Sequence, residues 1–213
     1  MELFDLALIW AFIIGFGIIM YVLMDGFDLG IGILFPFALK EEDRDTMMNT
    51  VAPVWDGNET WLVLGVGVLM IAFPFAHGMV LQALYLPVAV MLIGLILRGV
   101  AFEFRAKVRS RRKALWNRLF FVGSLVTALA QGFMLGLYIM GLVQTPATYL
   151  FAALCSVFLA VGYSFIGATW LIHKTVEGLQ SKAVKWARHS LWAVIAGIGA
   201  VSLATPLVSD RIY

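Results

Sequence analysis

The sequence predicts an all-α, polytopic transmembrane helical bundle, and three observations carry that prediction. Of its 213 residues 62% are hydrophobic and only 13% charged, far from the balance of a water-soluble domain. Six stretches are long and apolar enough to cross a bilayer, which takes about 20 residues per helix. Those stretches are apolar all round instead of alternating, which rejects a membrane β-barrel built from strands of about 10 residues with two-faced patterning.

The predicted spans run in order Leu6 to Met24, Ala52 to Phe75, Met79 to Ala101, Leu119 to Leu142, Thr148 to Ile172 and Leu191 to Val208. The first starts almost at Met1, with Glu2 and Asp5 ahead of it and neither a basic leader nor a small-residue cleavage site, so it reads as a retained span. The second opens on a polar segment and becomes apolar after Trp61. Each of the six has the Gly, Ala and Ser content that lets membrane helices approach closely. No internal repeat or low-complexity linker divides the chain, so residues 1–213 read as a single transmembrane domain.

Between the spans the charge is one-sided. Thirteen of the 15 basic residues fall in three loops: Lys40 to Asn49, Phe102 to Arg118 (including Arg109) and His173 to Ser190. The turns near Phe75 to Gly78 and Val143 to Pro146 hold none. Short cytoplasmic loops are rich in Lys and Arg, so the amino terminus is expected on the periplasmic side, as is the tail with Arg211. A net charge of +2 spread over these loops gives nucleic-acid binding no support. The lone Cys155, inside an apolar run, excludes an internal disulfide and a Cys-x-x-Cys-His haem attachment.

Two clusters hold ionisable residues where lipid would penalise them. Met24-Asp25-Gly26-Phe27-Asp28-Leu29-Gly30-Ile31-Gly32 lies between apolar stretches, and Pro53-Val54-Trp55-Asp56-Gly57-Asn58-Glu59-Thr60-Trp61 opens the second span. Asp25 and Asp28, like Asp56 and Glu59, are three apart and share a face of a helix. Two such pairs facing each other would couple their titrations and suit proton transfer. The competing reading makes Asp25 and Asp28 interfacial or capping residues and Asp56 a first-turn residue on the helix dipole. The glycines allow either close helix approach or irregular backbone.

Arg98, Glu103 and Arg105 close the third span, where Arg98 and Glu103 are expected to pair or to reach the surface. Gln131, Tyr138, Ser164 and Thr169 are expected to bond between helices, and most tryptophans to form interfacial belts. His77, His173 and His189 have no second ligand at metal or haem spacing. A small proton-coupled secondary transporter or channel is the alternative function, though only one Gly/Asp interruption is present where transporters show matched pairs.

The two acidic motifs, with Leu97-Arg98-Gly99-Val100-Ala101-Phe102-Glu103-Phe104-Arg105, Gly167-Ala168-Thr169-Trp170 and Lys174-Thr175, resemble subunit II of cytochrome bd-type quinol oxidases, including the cyanide-insensitive variants. The resemblance covers essentially the whole chain. It implies a non-haem subunit of the bacterial inner membrane that binds no cofactor itself. Its partner would be a subunit I carrying haem b and haem d, which oxidises quinol and reduces dioxygen; a small single-span subunit, lipid or quinone would be further contacts. It also implies that Asp28 and Asp56 lead cytoplasmic protons toward the oxygen site, with Asp25 and Glu59 beside them, Trp55 setting the second span, and Arg98 and Glu103 in support. Family members continue through further spans, so the chain is expected to be the N-terminal part of a longer subunit.

Overall fold

The computed structural model describes residues 3–108 and 110–208. Arg109, Arg211 and the closing Asp210 to Tyr213, which entered the charge and length expectations, lie outside the described residues. Among the described residues seven helices follow one another: α1 Leu3–Leu34, α2 Glu41–Val51, α3 Trp55–Ala72, α4 Pro74–Lys107, α5 Ser110–Ile139, α6 Pro146–Lys174 and α7 Glu177–Val208. A 3-10 turn, Phe35–Phe37, follows α1.

Among the described residues five helical segments are long and apolar enough to span a membrane: Asp5–Phe37, Pro74–Lys107, Arg112–Ile139, Pro146–Lys174 and Glu177–Pro206. The expected second span, α3, falls short of that standard, because Asp56, Asn58 and Glu59 occupy the first turns of a helix only 18 residues long. It nevertheless packs along α1 and touches α4. Its turn to α4 is one residue, Phe73, followed by Pro74 at the first helical position, where a missing N–H costs nothing. The sequence placed that turn some residues later.

The helices are longer than the apolar runs because helix propensity continues into the charged flanks. α1 runs unbroken through Asp25 and Asp28 to Leu34, which removes both the irregular-backbone and the capping readings of that motif. The expected loop Lys40 to Asn49 is mostly helix α2, three acids filling its first turn where the helix dipole favours them. Much of the expected loop His173 to Ser190 is the start of α7.

The core sits toward the end that bears α2. There every residue of α1 from Asp25 to Gly32 is buried, enclosed by α3, α5 and α6, while most of the first half of α1 is exposed. Phe27 stacks on Trp170 with centroids 4.0 Å apart. The enclosure depends on glycine: a Cβ on Gly167 would lie 2.6 Å from the carbonyl carbon of Gly30, and one on Gly123 2.7 Å from the carbonyl oxygen of Gly94. Close backbone approach of this kind is how membrane helices gain packing energy. At the opposite end α5 stops at Gly141, in the left-handed region at φ 69°, and α6 starts with a reciprocal Thr145–Thr148 capping box.

Candidate functional site

The polar interior is assembled from three helices. α1 contributes Asp25 and Asp28, 0% and 2% exposed; α3 contributes Asn58 and Glu59; α4 contributes Arg98, 2% exposed. Because Asp25 and Asp28 are less than one turn apart, both enter the same α1–α3–α4 seam.

Arg98 forks across it. Its Nη1 lies 2.8 Å from Asp25 Oδ1 and its Nη2 2.5 Å from Glu59 Oε1, so one guanidinium holds acids from two helices, as its planar donor set allows. Asn58 Nδ2 donates to Asp28 Oδ2 at 2.8 Å and to the Met24 carbonyl at 3.2 Å. Asp28 Oδ1 is buried and finds no hydrogen-bond partner among the described residues. One turn before Asp25 stands Tyr21, whose hydroxyl accepts from Gln131 Nε2 at 2.5 Å, while Gln131 Oε1 accepts from the Tyr163 hydroxyl at 2.6 Å. This chain of polar groups ties α1 to α5 and α6, and the Tyr163 ring lies where a Cβ on Gly26 would come within 3.0 Å of it.

Of the sequence-expected residues, Asp25, Asp28, Glu59 and Arg98 converge. Asp56 does not join them: it is exposed in the first turn of α3, so the expected facing of two complete carboxylate pairs holds for only one pair and Glu59. Trp55 packs with its ring centroid 5.0 Å from that of Phe102 and its edge beside Gly99, which anchors the start of α3 on α4. Glu103 is exposed and pairs with Lys107 at 3.2 Å, not with Arg98. Positions 98 and 103 lie about 140° apart around a helix, so a pairing between them was geometrically closed, and Arg98 is interior instead of at the surface.

Gln131 does bond between helices, whereas Ser164 and Thr169 bond to carbonyls of their own helix, Ala160 and Ile166. Tyr138 is 62% exposed. Sequence reasoning missed Asn58, Tyr21 and Tyr163; Asn58 stood inside a quoted motif and could have been found as the amide between the acids Asp56 and Glu59. It also missed that Arg105 is buried. Arg105 bonds Asn117 Oδ1 at 2.6 Å, Glu41 Oε1 at 2.6 Å and Asp45 at 2.7 Å. With Lys113–Asp45 at 3.0 Å and Lys182–Asp43 at 2.6 Å, it fastens α2 to α4, α5 and α7.

Burial would raise the carboxyls of Glu41 and Asp45, but their bonds and charges outweigh it: Arg44, Asn117 and Arg105 hold Glu41 below the ordinary carboxylate range, and Lys113 and Arg105 do the same for Asp45.

A seam with one guanidinium among several acids can store and relay protons. The sequence is similar to a known line of proteins. The chain is 33% identical over 194 residues to a probable cytochrome oxidase subunit 2 of Haemophilus influenzae, covering 84% of this chain and 51% of that protein. It is 28% identical over 216 residues to a cytochrome bd ubiquinol oxidase subunit 2 of Bacillus subtilis, covering 95% and 63%. A cytochrome bd-I ubiquinol oxidase subunit 2 of Escherichia coli is 33% identical over 147 residues, covering 68% and 39%. The chain thus spans about half the length of the curated relatives it matches. The family model described as cytochrome bd terminal oxidase subunit II matches residues 6–212, and with a match of that extent this chain belongs to the cytochrome bd terminal oxidase subunit II family.

Proposed function

We propose that this chain serves as the non-haem subunit of a cytochrome bd-type quinol:dioxygen oxidoreductase in a bacterial inner membrane, supporting a haem-bearing subunit I and leading cytoplasmic protons toward the oxygen-reducing site. The observation that carries the proton role is the seam in which buried Asp25 and Asp28 and half-buried Glu59 gather around Arg98. Buried charge without compensation is costly, so a seam with three acids and one base favours retaining a proton. Asp56, exposed on α3, is the entry or hand-over point between this chain and its surroundings.

Haem b and haem d belong to the partner in this reading. His173 and His189 are exposed and His77 lies only half-buried near the start of α4, so they are poorly placed to offer a ring nitrogen to the interior as an axial ligand. A small single-span subunit and lipid or quinone are the remaining contacts. The basic flanks of α2, α4, α5 and α7 face the cytoplasm, which puts the amino terminus on the periplasmic side, with the chain as one transmembrane unit. A transporter reading loses its footing on α1, which is continuous through Asp25–Gly32 instead of interrupted.

A reduced-minus-oxidised visible spectrum tests the assignment. Haem b and d bands in the complex that this chain draws from its native membrane, and none in the chain alone, are expected. A stable chain that recovers no haem protein would overturn it.

A further inference from the structure

The orientation of the Asn58 amide is unambiguous. The Met24 carbonyl can only accept, so the Asn58 atom 3.2 Å from it is the amide nitrogen, and the two hydrogens of that nitrogen go to Met24 O and Asp28 Oδ2. Oδ2 is therefore the accepting oxygen of Asp28. The other oxygen, Oδ1, is buried without a hydrogen-bond partner among the described residues, in a side chain that is 2% exposed. The oxygens of Asp25 are likewise buried without a hydrogen-bond partner among the described residues, and what sets Asp25 apart is charge: its Oδ1 lies 2.8 Å from a guanidinium that stays charged in any protein environment, and the same guanidinium engages Glu59. Arg98, the one cation of the seam among the described residues, is thus committed to Asp25 and Glu59, and Asp28 has an amide.

We infer that Asn58 is a positioning residue that turns Asp28 so that Oδ2 accepts and Oδ1 carries the transferable proton, dividing the two aspartates of α1 into a fixed carboxylate at Asp25 and a proton-bearing carboxyl at Asp28. This rests on the proton-path reading and adds to it the atom that bears the proton and the residue that chooses it. On release, the O–H bond at Oδ1 breaks and its electron pair stays on the carboxylate, where the Asn58 N–H stabilises the charge at Oδ2. A proton arriving from the charged end of the bundle re-forms the bond at Oδ1, and no other species is consumed.

The test is infrared spectroscopy of the intact complex in its membrane, read beside oxidase turnover. A deuterium-sensitive carbonyl stretch of a protonated carboxyl is expected, lost in Asp28→Asn and retained in Asp25→Asn. Because that carbonyl is Oδ2, Asn58→Leu removes its hydrogen bond and moves the band to higher frequency, with turnover lower by about tenfold, the order of one lost buried hydrogen bond. Asn58→Ser, too short to reach Oδ2, gives the same shift if the leucine variant fails to assemble. A band unmoved by either Asn58 variant, or lost with Asp25→Asn, overturns the inference. If Asp28→Asn abolishes turnover while the band ignores Asn58, the proton path stands and the role of Asn58 falls. If the band follows Asn58 while Asp28→Asn turns over normally, the assignment stands and the proton path falls.

Discussion

Arg98 is the residue on which the interior depends most. Replacing it by Leu strips Asp25 and Glu59 of their counter-charge, and breaking a buried pair in this way costs about 3–5 kcal/mol; the yield of assembled complex should collapse. Arg98→Lys should recover only part of that yield, since an ammonium is a point charge without the fork that reaches both acids. Asp56 should behave in the opposite manner. It is exposed and outside the buried seam, so Asp56→Asn should leave assembly intact while oxidase turnover falls; unchanged turnover would remove Asp56 from the proton route. The acids themselves were legible in the sequence because a charge inside an apolar run stands out. Their partners were not, because Asn58 meets Asp28 across 30 positions and Arg98 meets Glu59 across 39, and such pairings depend on how α1, α3 and α4 pack. The expectation that Arg98 would pair with Glu103 or reach the surface fails on both counts: the two stand about 140° apart on α4, Glu103 pairs with Lys107, and Arg98 is interior.

The helices place these residues through two kinds of contact, each testable. Between α1 and α6 the contact is backbone on backbone, so Gly30→Ala should cost toward the upper end of about 1–3 kcal/mol through overpacking. Gly67→Ala, with open space around it, should be neutral or stabilising by up to about 1 kcal/mol; thermal unfolding in detergent separates the two. Around α2 the contact is ionic. Glu41 and Asp45 have folded values below the ordinary carboxylate range, so their contribution is complete above that range and is lost as pH falls through the depressed values. Both are more than one-third exposed, so solvent screening keeps the effect small. Faster hydrogen exchange of α2 amides, after correction for intrinsic rates, should therefore appear only in acid. The existence of α2 was hidden from the sequence because its mean composition is polar. Only Met47, Met48 and Val51 are buried, too few for a clear apolar stripe.

For the whole molecule, the bundle and most of its spans were legible, since about 20 continuous apolar residues have few other solutions. The helix ends were not, because the charged flanks remain helical beyond the hydrocarbon. Sidedness can be read directly. Cys155 is buried, so a single introduced cysteine reports with little background. Gln144→Cys, in the exposed turn between α5 and α6, should react with an impermeant maleimide added to intact spheroplasts. Ser181→Cys, exposed on α7 near the basic end, should react only after permeabilisation. The reverse pattern would invert the bundle.

The one-residue turn at Phe73 bears on how the protein is made. α3 carries two acids and an amide in its first turns and is less apolar than its neighbours, so a translocon sampling it alone would find a weak candidate for release into lipid. Joined to α4 by Phe73 alone, it has no slack to remain behind while α4 enters. The two are therefore expected to partition together as a helical hairpin, in which the Glu59–Arg98 bridge would lower the cost of bringing both charges to membrane depth, a second use for the ion pair of the mature site.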